Sequence, residues 1–415
     1  MEFTYDDYKI QAWLDTIQEF FSFEINGKSL ETLLVQGGMG VDISTFPLAK
    51  ACADIGMMGT ISTTASNYIN KLEEQIKKID MKNYLGILGF NNLRPTTDYT
   101  KNYELGEKLN LDFMAIAAGL APDSIRNAMN QKITESTQYL NTLIISTKKQ
   151  AKRLFGWNVG LGILETAEAG GHNGPGSTLE ETINTYKNSI DSKELNPDGN
   201  KLILAGGVRT PRDYLKAITS GFAAVQIGSL LLLAKETNIF DNYRKLIINS
   251  KIEDVGDIPS PAGLPAKGFK NQGIMKRVLN GTSIQKKCIK PNKDCLSDCS
   301  KIKYSSEAIG MTSPVGDYCI KKALDNLHDP NANPDDCLYF CGSKPENLFI
   351  IPYMKKNNIL SLPVKEIIKQ LFTGVFDIGL ETKYLTNEQK DFMGETYNDY
   401  CNKEPKKLKG KIFNN

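Results

Sequence analysis

Five glycine-rich stretches and one histidine hold the residues whose types and spacing suit chemistry. The stretches are Gln36-Gly37-Gly38-Met39-Gly40, Gly89-Phe90-Asn91, Glu168 through Gly174, Ala205-Gly206-Gly207-Val208 and Gln226-Ile227-Gly228-Ser229. Glycine lets main-chain amides approach a ligand closely, and amides aimed at one point bind anions such as phosphate. The pair Gly206-Gly207 and Gly228-Ser229 fits that use, with the Ser229 hydroxyl as an extra donor. His172 is one of only two histidines and sits beside Gly170 and Gly171, which would admit a planar ligand next to the imidazole. A neutral imidazole is a general base suited to pH 7. The other, His328, lies in the polar run Asn326-Leu327-His328-Asp329 and reads as a surface residue. Glu165 and Glu168, three apart at a strand end, should face opposite ways, so Glu165 reads as a ligand hydrogen-bond partner and not as half of an acid–base pair.

Elements must place these residues together. Eight short runs, largely continuous in apolarity, occur at Leu30–Gln36, Met57–Ser62, Tyr84–Asn91, Asp112–Gly119, Asn141–Ser146, Gly160–Thr166, Lys201–Gly207 and Ala223–Ser229. Continuous apolarity marks strands buried on both faces. Between them, Phe46–Ile55, Asn67–Ile79, Lys149–Phe155, Leu179–Ile190 and Pro211–Thr219 read as helices. Thr178 before Glu181 forms a capping-box pattern, and Thr210 precedes Pro211 as an N-cap precedes a first-turn proline. Strands alternating with helices pair in parallel through crossovers. Eight such units favour a (β/α)8 barrel, a TIM barrel of the α/β class, over an open doubly wound sheet. The glycine-rich stretches then fall at strand C-terminal ends, where such barrels carry their sites, with phosphate at strands seven and eight. No GxGxxG follows a strand, so a dinucleotide-binding domain is not supported.

The chain has 415 residues, with 50 Lys+Arg against 48 Asp+Glu and 24% charged residues. This balance argues against nucleic-acid binding through a general basic field. The longest aliphatic run, Leu230–Ala234, is far short of a membrane span, and the first residues do not read as a secretory signal, so a cytoplasmic protein is expected. The expected organisation is a barrel with an extra N-terminal helix over residues 1–250, a cysteine-containing cap over 251–348, and a helical return with a basic, solvated tail over 349–415. Six of the eight cysteines, Cys288, Cys295, Cys299, Cys319, Cys337 and Cys341, fall in that cap. Their spacing lacks the CxxC pairs of common zinc sites. Packed thiols, zinc and an iron–sulfur centre all remain open readings, and metal ligands are unassigned.

As a set, QGGMG, the glycine–Asn91 stretch, EAGGHNG, AGGV and QIGS resemble the nitronate monooxygenase family, formerly 2-nitropropane dioxygenase. Ser260 through Ala266, Tyr318-Cys319-Ile320 and Phe340 through Ser343 also look like that family. The resemblance implies FMN above the barrel mouth. It implies that Asn91, Glu165, Gly170, Gly171, Gly206, Gly207, Gln226, Ile227, Gly228 and Ser229 hold the flavin and its phosphate. Gln36, Gly37, Gly38 and Met39 would line the ring face, and His172 falls at the catalytic histidine. The implied reaction is oxidation of alkyl nitronates or nitroalkanes with oxygen to carbonyl compounds and nitrite. The alternative on the same motifs is an NAD(P)H-dependent flavin reductase acting on an enoyl thioester or a quinone; a non-enzymatic flavin-binding protein is a third class. Thr166 and Ser229 stand where glycine and threonine are usual, and Asn173 replaces a commonly apolar neighbour of the histidine.

Overall fold

A computed structural model describes residues 4–25, 27–64, 85–94, 96, 98–118, 140–156, 161–191, 201–262, 265–283, 316, 318–329 and 331–402. A small hairpin, β1 (Glu24–Ile25) and β2 (Lys28–Ser29), precedes the barrel. Eight parallel strands then close on themselves: β3 (Leu34–Gln36), β4 (Met58–Ser62), β5 (Ile87–Leu93), β6 (Phe113–Ala117), β7 (Leu140–Ile145), β8 (Leu161–Glu165), β10 (Lys201–Ala205) and β11 (Ala224–Ile227). All eight apolar runs supply one strand each, and β11 pairs back onto β3 to complete the ring. Among the described residues β4 and β6 are buried at every position, which is why their sequences show no alternation.

The helices expected from the sequence form at Phe46–Asp54, Lys148–Phe155, Leu179–Asp191 and Pro211–Thr219. Both predicted start signals are made. Thr178 Oγ1 accepts from the Glu181 amide at 3.3 Å while Glu181 Oε2 accepts from the Thr178 amide at 3.0 Å. Thr210 does the same with Asp213 ahead of Pro211. Such a cap contributes about 1 kcal/mol. The helix expected at Asn67–Ile79 and the basic tail at Lys403–Lys411 lie outside the described residues.

Strand β11 is followed by a short 3-10 turn at Ser229–Leu233. The outer layer there is completed by a helix from much later in the chain, Val364–Glu381, which packs against the Pro211–Thr219 and Phe46–Asp54 helices. It is led in by a parallel bridge between Ala234 and Leu362. The N-terminal helix, Tyr5–Phe20, lies on it outside the barrel, joined by an Asp7–Lys369 ion pair at 3.0 Å. A separate antiparallel sheet stands at the barrel mouth: β12 (Val255–Ile258) pairs with β13 (Ala266–Phe269), which pairs with β9 (Gly171–His172). His172 sits on the two-residue strand β9, register-locked opposite Ala266. No described helix is long and apolar enough to cross a membrane.

Candidate active site

The C-terminal ends of the barrel strands open into a cavity of about 490 Å³. Its wall contains Gly37, Gly38 and Met39 after β3, Asn91 on β5, Glu165 ending β8, and Gly170, Gly171 and His172 around β9. Gly206 and Gly207 after β10, and Gln226, Ile227, Gly228 and Ser229 at the end of β11, complete the set. Residues from six separate segments thus meet at one mouth.

Gln36 is the exception. It is fully buried, and its side-chain amide donates to the Thr60 carbonyl at 2.8 Å and accepts from the Thr60 amide at 3.0 Å. That exchange staples β3 to β4 below the cavity, so Gln36 lines no ligand face. The next residue begins the rim: the Gly37 amide donates to the Ile227 carbonyl at 2.8 Å, pulling the first rim onto the eighth strand.

Several rim positions need glycine. A Cβ on Gly38 would lie 2.1 Å from Asn91 Nδ2, whose donation to the Gly38 carbonyl at 2.8 Å holds the two segments together. Gly206 and Gly207 both have left-handed φ, +87° and +80°, which turns the chain sharply out of β10. A Cβ on Gly228 would meet nothing within 4 Å, so this rim faces open cavity. Asn91 Oδ1 is buried without a partner, an orphaned acceptor on the cavity wall.

Two titratable groups on the wall are pushed in opposite directions. Burial raises the Glu165 carboxyl to about 8, so the flavin-free chain holds it protonated at neutral pH, able to donate as well as accept. Burial lowers the His172 imidazole to about 4, which keeps it neutral there. His172 Nε2 lies 2.5 Å from Ser260 Oγ. The Ala262 amide also donates to that oxygen at 3.2 Å, and a hydroxyl oxygen can accept a second bond: in the tautomer whose Nε2–H donates to it, Nδ1 keeps a free lone pair. Phe340 meets the His172 ring edge-on at 5.4 Å between centroids.

Glu168, in a turn beyond the strand, lines the same cavity as Glu165. It is committed elsewhere: Oε1 to Arg209 at 3.1 Å and Oε2 to the Leu179 amide at 2.8 Å. His328 is not a free surface residue. Its run forms a 3-10 turn against the rim after β3, and its Nε2 bonds to the Val41 carbonyl at 2.6 Å. Val41 and Asp42 both have left-handed φ, +47° and +57°, an unfavourable state for a β-branched residue, and this contact helps hold it.

Sequence reasoning missed Ser260, Phe340, Gly342, Ser343 and Arg209 as site residues. The first four stood inside the family-like segments, and only the fold brings them to the mouth. Among the described cysteines, Cys337 and Cys341 are buried and Cys319 half-buried, and burial pushes the Cys341 thiol up to about 12. Among the described residues, no group of three or more His, Cys, Asp or Glu is placed to hold a metal. Cys288, Cys295 and Cys299 lie outside them.

Residues 23–373 match the family described as nitronate monooxygenase. The chain belongs to the nitronate monooxygenase family. That family comprises flavin-dependent oxidoreductases acting on small molecules. A curated relative, a probable nitronate monooxygenase of Staphylococcus aureus, is 30% identical over 118 residues. That stretch covers 27% of this chain, and the chain spans about a third, 32%, of the relative's length. Two solved structures share the fold at low identity. FabK from Thermotoga maritima has a TM-score of 0.58 at 15% identity, covering 92% of this chain and 98% of that one. A nitroalkane oxidase from Streptomyces ansochromogenes has a TM-score of 0.56 at 14% identity, covering 84% and 96%.

Proposed function

We propose that the protein binds FMN across the barrel mouth and oxidises alkyl nitronates, with oxygen as oxidant, to carbonyl compounds and nitrite. One observation carries this reading: a neutral His172 shares a single cavity with glycine rims from the first, seventh and eighth barrel strands. The cavity residues suit a phosphorylated flavin. The orphaned Asn91 Oδ1 and the Glu165 carboxyl offer polar contacts for the ring edge. Gly206, Gly207, Gln226, Ile227, Gly228 and Ser229 would hold the phosphate, and Gly37, Gly38 and Met39 would line the ring. The bound flavin supplies the electron-accepting chemistry that side chains lack.

The chain's own groups do the rest. A neutral His172 can hydrogen-bond the oxygens of a nitronate or take a proton from a neutral nitroalkane. Ser260 orients the ring. Val41, Ile43, Ile144, Ile320 and Leu324 on the cavity wall exclude water and suit an alkyl group. The expected partners are small molecules, without nucleic acid or membrane, in the cytoplasm.

The second reading, an NAD(P)H-dependent reductase, draws on the likeness in fold to FabK. Anaerobic mixing separates the two. Loss of flavin absorbance on adding a nitronate, with none on adding NADH or NADPH, supports the monooxygenase. Rapid bleaching by a nicotinamide alone overturns it in favour of the reductase.

A further inference from the structure

The segment Phe340–Ser343 runs between the two halves of the site. At one end Phe340 meets His172 and bridges to Gly268 of β13. At the other the Gly342 amide donates to Ser229 Oγ at 2.9 Å, and the Ser343 amide donates to the Glu168 carbonyl at 3.0 Å. The fit has no slack. A Cβ on Gly170 would come within 2.6 Å of the Gly342 nitrogen, and one on Gly342 within 2.9 Å of the Glu168 carbonyl oxygen.

Arg209, two residues beyond the Gly206-Gly207 turn, fastens this strap. Its Nη1 donates to the Ser343 carbonyl at 3.1 Å and to Glu168 Oε1 at 3.1 Å. Its own carbonyl accepts from the Phe349 amide at 3.0 Å. Glu168 stands hard against the turn: a Cβ on Gly207 would lie 2.8 Å from Glu168 Oε2. A bare carboxylate there would repel an anion. The side chains of Arg209 and Glu168 are only 14% and 12% exposed, so the guanidinium offsets that charge with little screening by water.

The geometry points to Arg209 and Glu168 as positioning residues that hold the Phe340–Ser343 strap across the phosphate end of the cofactor. The strap closes that end to anything larger than a phosphate monoester, and Arg209 makes it tolerate the monoester's charge. This rests on the flavin reading above and adds a rule of choice: FMN over uncharged riboflavin by charge, and FMN over FAD by closure.

The test titrates riboflavin, FMN and FAD into the flavin-stripped full chain, following flavin fluorescence. The native chain should bind FMN at least 100-fold more tightly than riboflavin, with FAD weakest. Arg209→Gln should weaken FMN at least tenfold and riboflavin less than threefold, and should narrow the gap between FMN and FAD. Adding Glu168→Gln to that variant should restore FMN binding at least threefold. Glu168→Gln alone, which keeps the cation and removes the repelling charge, should raise the FMN-to-riboflavin ratio at least threefold, and it serves if Arg209→Gln does not fold. An equal loss of FMN and riboflavin in Arg209→Gln, or unchanged ratios in both single variants, overturns the proposal. A native chain that binds no flavin overturns the flavin reading itself and the strap's role with it. A native chain that binds all three flavins equally overturns the strap's role alone.

Discussion

On the β10–β11 side of the mouth, main-chain turns face the cavity: the paired glycines after β10 and the Gly228-Ser229 turn after β11. On the β9 side, side chains do: His172, Ser260 and Phe340, carried on or beside a small antiparallel sheet. The first region is local in sequence, each piece being the end of a strand and the start of the next turn. The second is assembled from residues 88 positions apart, His172 and Ser260, and from a strap later still. Main-chain amides suit a fixed anion common to many substrates, and side chains suit the reacting group. On the proposed function, cofactor grip and chemistry would lie on separate walls.

That separation can be broken experimentally. His172→Ala should lower nitronate turnover by about 100-fold or more, the usual contribution of a positioned acid–base group, while FMN stays bound. Turnover by stopped assay and flavin content by absorbance check both halves, and joint loss of flavin and activity would show the two walls to be one unit. Gln36→Ala should act on neither wall. Removing its amide strands the buried Thr60 amide and carbonyl, at a cost of about 1–3 kcal/mol in urea unfolding, with FMN affinity nearly unchanged. A large loss of FMN affinity at native stability would return Gln36 to the ring face.

The smallest effect is in pH dependence. In the flavin-free chain Glu165 is raised from 4.5 to about 8, so the folded state holds the extra proton between those values. Its contribution is full below 4.5 and is lost as pH rises through 8. His172 is lowered from 6.5 to about 4, so its contribution is full above 6.5 and is lost as pH falls through 4. Glu165→Gln should therefore flatten the fall in melting temperature between pH 4.5 and 8 and leave the acid-side loss in place. An unchanged slope would remove Glu165 as its source.

The contrast also explains what could be read from the sequence. Eight doubly buried strands leave continuous apolar runs, and the turns that follow them leave glycines, so the barrel and the glycines that line its mouth were legible. Gln36 misled because it adjoins the glycines, yet its side chain is buried against the backbone of Thr60 on β4. His172 stood out by rarity, but its strand did not, since two residues carry no period. Ser260 and Phe340 stood inside family-like segments and Arg209 did not, but the contacts of all three depend on the fold. The outer helix Val364–Glu381 was expected only as a helical return within residues 349–415, whereas its place in the barrel depends on the Ala234–Leu362 bridge. His328 looked solvated because its neighbours are polar, and only packing against Val41 buries its Nε2 bond.

The central claim is that glycine rims of the barrel mouth bind a phosphorylated flavin. Titrating FMN into the flavin-stripped chain and following flavin fluorescence tests it most directly. The account predicts saturation at one FMN per chain. A folded chain that leaves FMN fluorescence unchanged across the titration would contradict it.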